Sequence, residues 1–154
     1  MPTMRQAVAA DAAAVRALTR EAYTKWVAVT GREPLPMRVD YVEALTKHRF
    51  DLLHEDGVLV ALIETERHPD HLLIVNVAVS PAHQKRGHGR RLLAHAEVLA
   101  REDSLGMLRL YTNARMVENI ALYKSLGYVI DREEPVGTSI QVHMSKPIAA
   151  PPST

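Results

Sequence analysis

The sequence predicts one domain of the α/β or α+β class, built on a mixed sheet. Three observations carry that prediction. Strand-like apolar runs alternate with amphipathic helical stretches through the middle of the chain. Hairpin signals stand nearer its two ends. The 154 residues, 47% of them hydrophobic, suffice for a single buried core.

The elements follow in order. "MRQAVA" from Met4 reads as a short first strand, and Asp11 as the N-cap of a helix. Val15, Leu18, Ala22 and Trp26 recur at helical spacing. Gly31, Pro34 and Pro36 break the pattern, and a shorter helix is expected from Val39 to Lys47. "RFDLLHEDGVLVALIETE" reads as two strands about the turn Asp56-Gly57. A turn at His68–Asp70 leads to Leu72–Val79, apolar but for Asn76, as expected of a central strand covered on both faces. Pro81 ends it. Leu92, Leu93, Ala96, Leu99 and Ala100 mark one face of the next helix. "MLRLYT" is a strand, "VENIALYKSL" a helix stopped by Gly127, and "YVIDRE" and "SIQVHMS" are closing strands. The order is β-α-α-β-β-β-α-β-α-β-β. The domain is expected to span 1–146, with a disordered tail from Pro147 to Thr154, rich in Pro and small residues.

Composition excludes several functions. Without cysteine there is no disulfide, thiolate nucleophile or Cys-ligated zinc. The N-terminus lacks an apolar signal core and no apolar run is long enough to span a bilayer, so a cytoplasmic protein without membrane contact is expected. A net charge of +1 argues against a nucleic-acid partner. His68 and His71 stand three apart but no third ligand pattern accompanies them, so no metal is expected.

The chemistry concentrates in "QKRGHG", Gln84 to Gly89, between the central strand and a helix. Helix N-termini leave N–H groups unpaired and favour anions. Gly87 and Gly89 let a phosphate approach the backbone, and Lys85, Arg86, Arg90 and Arg91 add positive charge. No Walker A sequence follows, and Leu92 occupies the place of a third Rossmann glycine. Alone, the stretch reads equally well as a flexible turn with a solvated basic helix start.

Its context adds to that. "NVAVSPAHQKRGHGRRLL" resembles the acyl-CoA-binding motif of the GNAT superfamily, the GCN5-related N-acetyltransferases, with Gln84, Gly87 and Gly89 at the fixed positions. "NIALYKSLGYV" resembles the family's second motif, and the two stand in the family's order. The resemblance covers roughly Met4 to Lys146. It implies the GNAT fold, a mixed sheet of about six to seven strands flanked by about four helices.

It also implies acetyl-CoA as cofactor and direct transfer of the acetyl group to an amine in a ternary complex. Main-chain groups of Val77 and Val79 would pair with the pantetheine arm. The N–H groups of Gln84, Lys85, Arg86, Gly87, His88 and Gly89 would hold the pyrophosphate, and the His88 side chain would touch it or face solvent. Tyr123 matches the tyrosine that protonates the departing thiolate, and a backbone N–H near Val79 the oxyanion donor. Asn119 shares a helix face with Tyr123 and would bind the cofactor arm, although the commoner asparagine position holds Met116. The histone-acetylating branch carries its base where this chain has Leu73. Glu64, Glu66, His71 and Asn76 are substitutes, as is a water chain.

The acceptor, a small-molecule amine or an amine of a peptide or protein, would lie against Ala12–Lys47 and Arg132–Met144. Glu33, Asp40 and Glu43 there either attract a cation or are plain surface charges. "SIQVHMS" is a candidate homodimer edge. The alternative function is a non-catalytic acyl-CoA-binding regulatory module.

Overall fold

Among the described residues the apolar periodicities become four α-helices and seven strands. The structure, a computed structural model, describes residues 2–149. Strands β1 (Pro2–Gln6), β2 (Arg49–Glu55), β3 (Val58–Arg67), β4 (Leu72–Val79), β5 (Met107–Asn113), β6 (Val129–Val136) and β7 (Ser139–Pro147) form one mixed sheet in the order β1-β2-β3-β4-β5-β7-β6. The helices are α1 (Ala12–Thr30), α2 (Tyr41–Lys47), α3 (His88–Glu102) and α4 (Val117–Ser125). The expected element order is the observed one. By packing, residues 2–66 with 75–95 form one compact unit and 67–74 with 96–149 another.

In the first unit α1 buries Val15, Leu18, Ala22 and Trp26, the stripe its spacing marks. Three of these join Tyr41, Phe50, Leu52, Leu62 and Ala78 in one core. Asp11 precedes α1 but does not cap it. Its carboxylate instead accepts from the Val8 N–H and pairs with Arg5 at 2.8 Å, which pulls its pKa down to about 2. α2 starts later than expected because Asp40 caps it, accepting from the N–H groups of Val42 and Glu43. Asp56 and Gly57 both take left-handed φ, 52° and 80°, the geometry of the tight hairpin the dipeptide signals.

In the second unit the start of β4 pairs in parallel with β5, and β5, β7 and β6 follow antiparallel. Leu108, Leu110, Val142 and Met144 are buried, as are Ala96, Leu99 and Ala100 of α3. Gly127, at φ 97°, ends α4 as anticipated.

Two further expectations are corrected. β4 is not covered equally on both faces: Leu72, Ile74, Asn76 and Ala78 are buried, whereas Leu73, Val75, Val77 and Val79 are only partly so. Pro147 still belongs to β7, and Ile148 is buried with its N–H on the Gly106 carbonyl, so order continues past residue 146. The rest of the expected tail, 150–154, lies outside the described residues.

Candidate active site

β4 hands the chain to the glycine loop through Ser80, whose N–H donates to the Val60 carbonyl at 2.8 Å. A 3-10 turn, Pro81–His83, follows, and the Gln84 amide donates to the Val79 carbonyl at 3.4 Å. Lys85 and Gly87 then take left-handed φ, 64° and 81°. For Lys85 this is a strained conformation, of the kind that persists where it has a use. Left-handed residues alternating with ordinary ones turn successive N–H groups into a shared concavity, a nest for anions. Among the described residues, no N–H from Gln84 to Gly89 has a hydrogen-bond acceptor in the chain. A Cβ built on Gly87 would meet nothing within 4 Å, so the cradle is open. Gly89 sits in the first turn of α3, where the helix dipole adds to the same field.

His88 departs from expectation. Its side chain neither faces solvent nor lies on the loop surface: the residue is 4% exposed, with Nε2 3.1 Å from Glu55 of β2. Arg86 reaches the other oxygen of the same carboxylate at 3.6 Å. Glu55 thus ties the loop to β2, and only the backbone of His88 is turned to the cradle's use.

On β4, Asn76 is buried and committed. Its amide donates to Thr19 at 3.4 Å, and its oxygen accepts from the Tyr23 hydroxyl at 2.9 Å. That hydroxyl also lies 3.3 Å from the Val77 carbonyl. Asn76 is therefore not free to hold a water, and Tyr23 is a residue the sequence reading missed. It lies off the apolar stripe of α1, and its partner is 53 positions away.

The other base candidates are equally engaged. Glu64 is not a solvated strand carboxylate but 3% exposed, 2.6 Å from His48 Nδ1, with Glu66 at 2.5 Å from the other ring nitrogen. Burial raises the pKa of Glu64 against the opposing pull of His48. Burial, the largest influence on His48, disfavours its charge, yet the two carboxylates outweigh it and raise its pKa. His71 pairs with Asp70 at 2.7 Å and stacks on His68. The acidic residues offered as an amine lure are also spoken for: Glu33 pairs with Arg20, Glu43 with Lys47, and Asp40 caps α2.

In the second unit α4 carries Tyr123, half-buried, its ring 5.8 Å from that of Tyr128. Desolvation pushes its pKa up to about 12. Among the described residues its hydroxyl makes no hydrogen bond, so the proton is both retained at neutral pH and uncommitted. Asn119 lies one turn earlier, its amide 3.9 Å from the sulfur of Met116. Met116 is buried at the start of α4, where it packs rather than presents a polar group.

Residues 13–128 match the acetyltransferase (GNAT) family, and the chain belongs to it. Over 76 residues it is 34% identical to the ribosomal protein bS18-alanine N-acetyltransferase of Escherichia coli K12, a stretch covering 49% of this chain and 51% of that enzyme. The match thus spans about half the length of the curated relatives. The crystal structure of the Escherichia coli enzyme superimposes with a TM-score of 0.80 at 22% identity, covering 99% of this chain and 97% of that one. The PaiA N-acetyltransferase of Thermoplasma acidophilum, crystallised with coenzyme A, also gives 0.80, at 16% identity over 96% and 99%. These likenesses show the fold. Among the described residues no helix is long and apolar enough to cross a membrane.

Proposed function

We propose that this chain is an acetyl-CoA-dependent N-acetyltransferase acting by direct transfer in a ternary complex. The observation that carries the reading is the run of unpaired N–H groups from Gln84 to Gly89, folded through two left-handed residues and open to solvent. That donor set suits a pyrophosphate. Acetyl-CoA bound there would supply a thioester. Lys85 and Arg86, both exposed, add charge to the cradle, and Val77 and Val79 offer the main chain of β4 to the pantetheine arm. The family span of 13–128, which runs through both units, supports reading 1–146 as one working domain.

The acceptor amine must be neutral to attack. Its nitrogen bonds to the acyl carbon, the carbon–sulfur bond breaks, and one amine proton is lost to solvent or a water chain. Tyr123 gives its proton to the departing sulfur and recovers one from solvent. A hydroxyl that keeps its proton at neutral pH and makes no hydrogen bond has that proton to give. With Glu64, Glu66 and Asn76 engaged, a water chain is the base this reading favours. The naming of one relative for a ribosomal protein supports a peptide or protein amine as acceptor and a cytoplasmic setting.

The test is amine-dependent release of free coenzyme A across a panel of small amines and peptides. Release with at least one acceptor supports the enzyme. Tight acetyl-CoA binding with no release from any acceptor would instead identify a non-catalytic acyl-CoA-binding module.

A further inference from the structure

The second unit contains a cleft of about 270 Å³, lined by His71 and by residues of β4, β5, β6 and β7. Its floor is set by register. Leu73 faces Arg109 across the β4–β5 pair, and Arg109 faces Ser145 on β7. Tyr111 faces His143, which in turn faces Arg132. The β6–β7 register slips between Ile130 and Arg132, which leaves Asp131 as an extra residue beside the cleft. Such bulges re-aim side chains and recur next to working sites.

The charges in the cleft are unevenly committed. Arg132 is bound to Glu134 at 2.8 Å, and His71 to Asp70 at 2.7 Å. Asp131 accepts from the Ser145 hydroxyl at 3.0 Å. Arg109 comes no closer than 3.9 Å to Asp131 and, among the described residues, makes no hydrogen bond. It lines the cleft, its side chain 44% exposed, with its N–H donors open. The buried Nε2 of His143 also lacks a hydrogen bond. Leu73 supplies apolar wall. The volume is at the small end for ligand sites, which start at about 300 Å³. It suits a short head group.

We infer that this cleft takes the acceptor, and that Arg109 selects an acceptor bearing a carboxylate close to its amine. The inference rests on the acetyltransferase reading. Arginine is the side chain whose planar fork matches a carboxylate with paired hydrogen bonds. The carboxylate has two sources: a free amino acid, or an acidic side chain next to a peptide N-terminus.

Two matched pairs of acceptors separate them: an amino acid and its carboxamide, and two short peptides differing by Glu or Gln at the second position. Coenzyme A release is measured for wild type, R109Q and R109K, with circular dichroism to confirm folding. In one pair the carboxylate-bearing partner is expected to show a kcat/KM about tenfold higher, carried by KM, as one charge-assisted contact provides. The pair that responds names the source. R109Q should bring the ratio near one without changing the melting-temperature shift given by acetyl-CoA, and R109K should keep part of it. No preference in either pair, a preference surviving R109Q, or no turnover while acetyl-CoA still binds would each overturn the inference. Loss of acetyl-CoA binding by the wild type would overturn the acetyltransferase reading beneath it.

Discussion

At Tyr123 and Gly87 the proposed chemistry can be tested one residue at a time. The Tyr123 hydroxyl is retained and unpaired, so its removal should cost the chemical step rather than binding. Tyr123→Phe is expected to lower kcat about 100-fold or more, the usual worth of a positioned general acid. KM for acetyl-CoA should stay within about threefold, because no ground-state contact is lost. Steady-state kinetics at saturating acceptor checks both, and an unchanged kcat removes Tyr123 from the mechanism. Gly87 is different in kind. Nothing obstructs a side chain there, but φ is +81°. Gly87→Val therefore adds strain of about 1–2 kcal/mol without a clash. The loop would relieve that strain by leaving the cradle conformation. Acetyl-CoA affinity, read by calorimetry, should fall about tenfold. The places of Tyr123 on a helix and of Gly87 between strand and helix were legible in the sequence because their signals are local. The burial of His88 was not, since it depends on Glu55, 33 positions away.

At the scale of the element, what was legible was periodicity. α1 and α3 buried the residues their spacing marked, because a helix face is dictated by 3.6-residue recurrence whatever it packs against. Polar residues on strands were misread for the complementary reason. A glutamate on a strand looks solvated until the partner that satisfies it is known, and for Glu64 that partner is His48, at the end of α2. The pairing has a consequence for α2 and β3. His48 has a folded pKa raised above its unfolded value of about 6.5, so its contribution to stability is complete below that value. The contribution is lost as pH climbs through the raised folded value. The urea midpoint should fall as pH rises above about 6.5, and the fall should be smaller in His48→Gln. Parallel curves for the two proteins would show that the bridge carries no pH-dependent stability.

For the whole molecule the decisive quantity is linkage between cofactor binding and unfolding. A ligand that binds only the folded chain stabilises it in proportion to the logarithm of its saturation. At a hundred times its dissociation constant, acetyl-CoA should add about 2.7 kcal/mol. For a chain of 154 residues each kcal/mol moves the midpoint by roughly 2–4 °C, so a rise of about 5–10 °C is expected. NAD and ATP are the informative controls, because both carry phosphates that a simple anion site would accept. If all three raise the midpoint alike, the loop is a general phosphate nest and β4 contributes no recognition of the pantetheine arm. If acetyl-CoA alone does so, the donors of the loop and the main chain of β4 act together. Free coenzyme A then separates them further, since it keeps both arms and lacks only the acetyl group. Its shift should approach that of acetyl-CoA, because the proposed contacts fall on the pyrophosphate and pantetheine. A much smaller shift would place the main recognition at the acyl end and count against the cradle as the principal anchor.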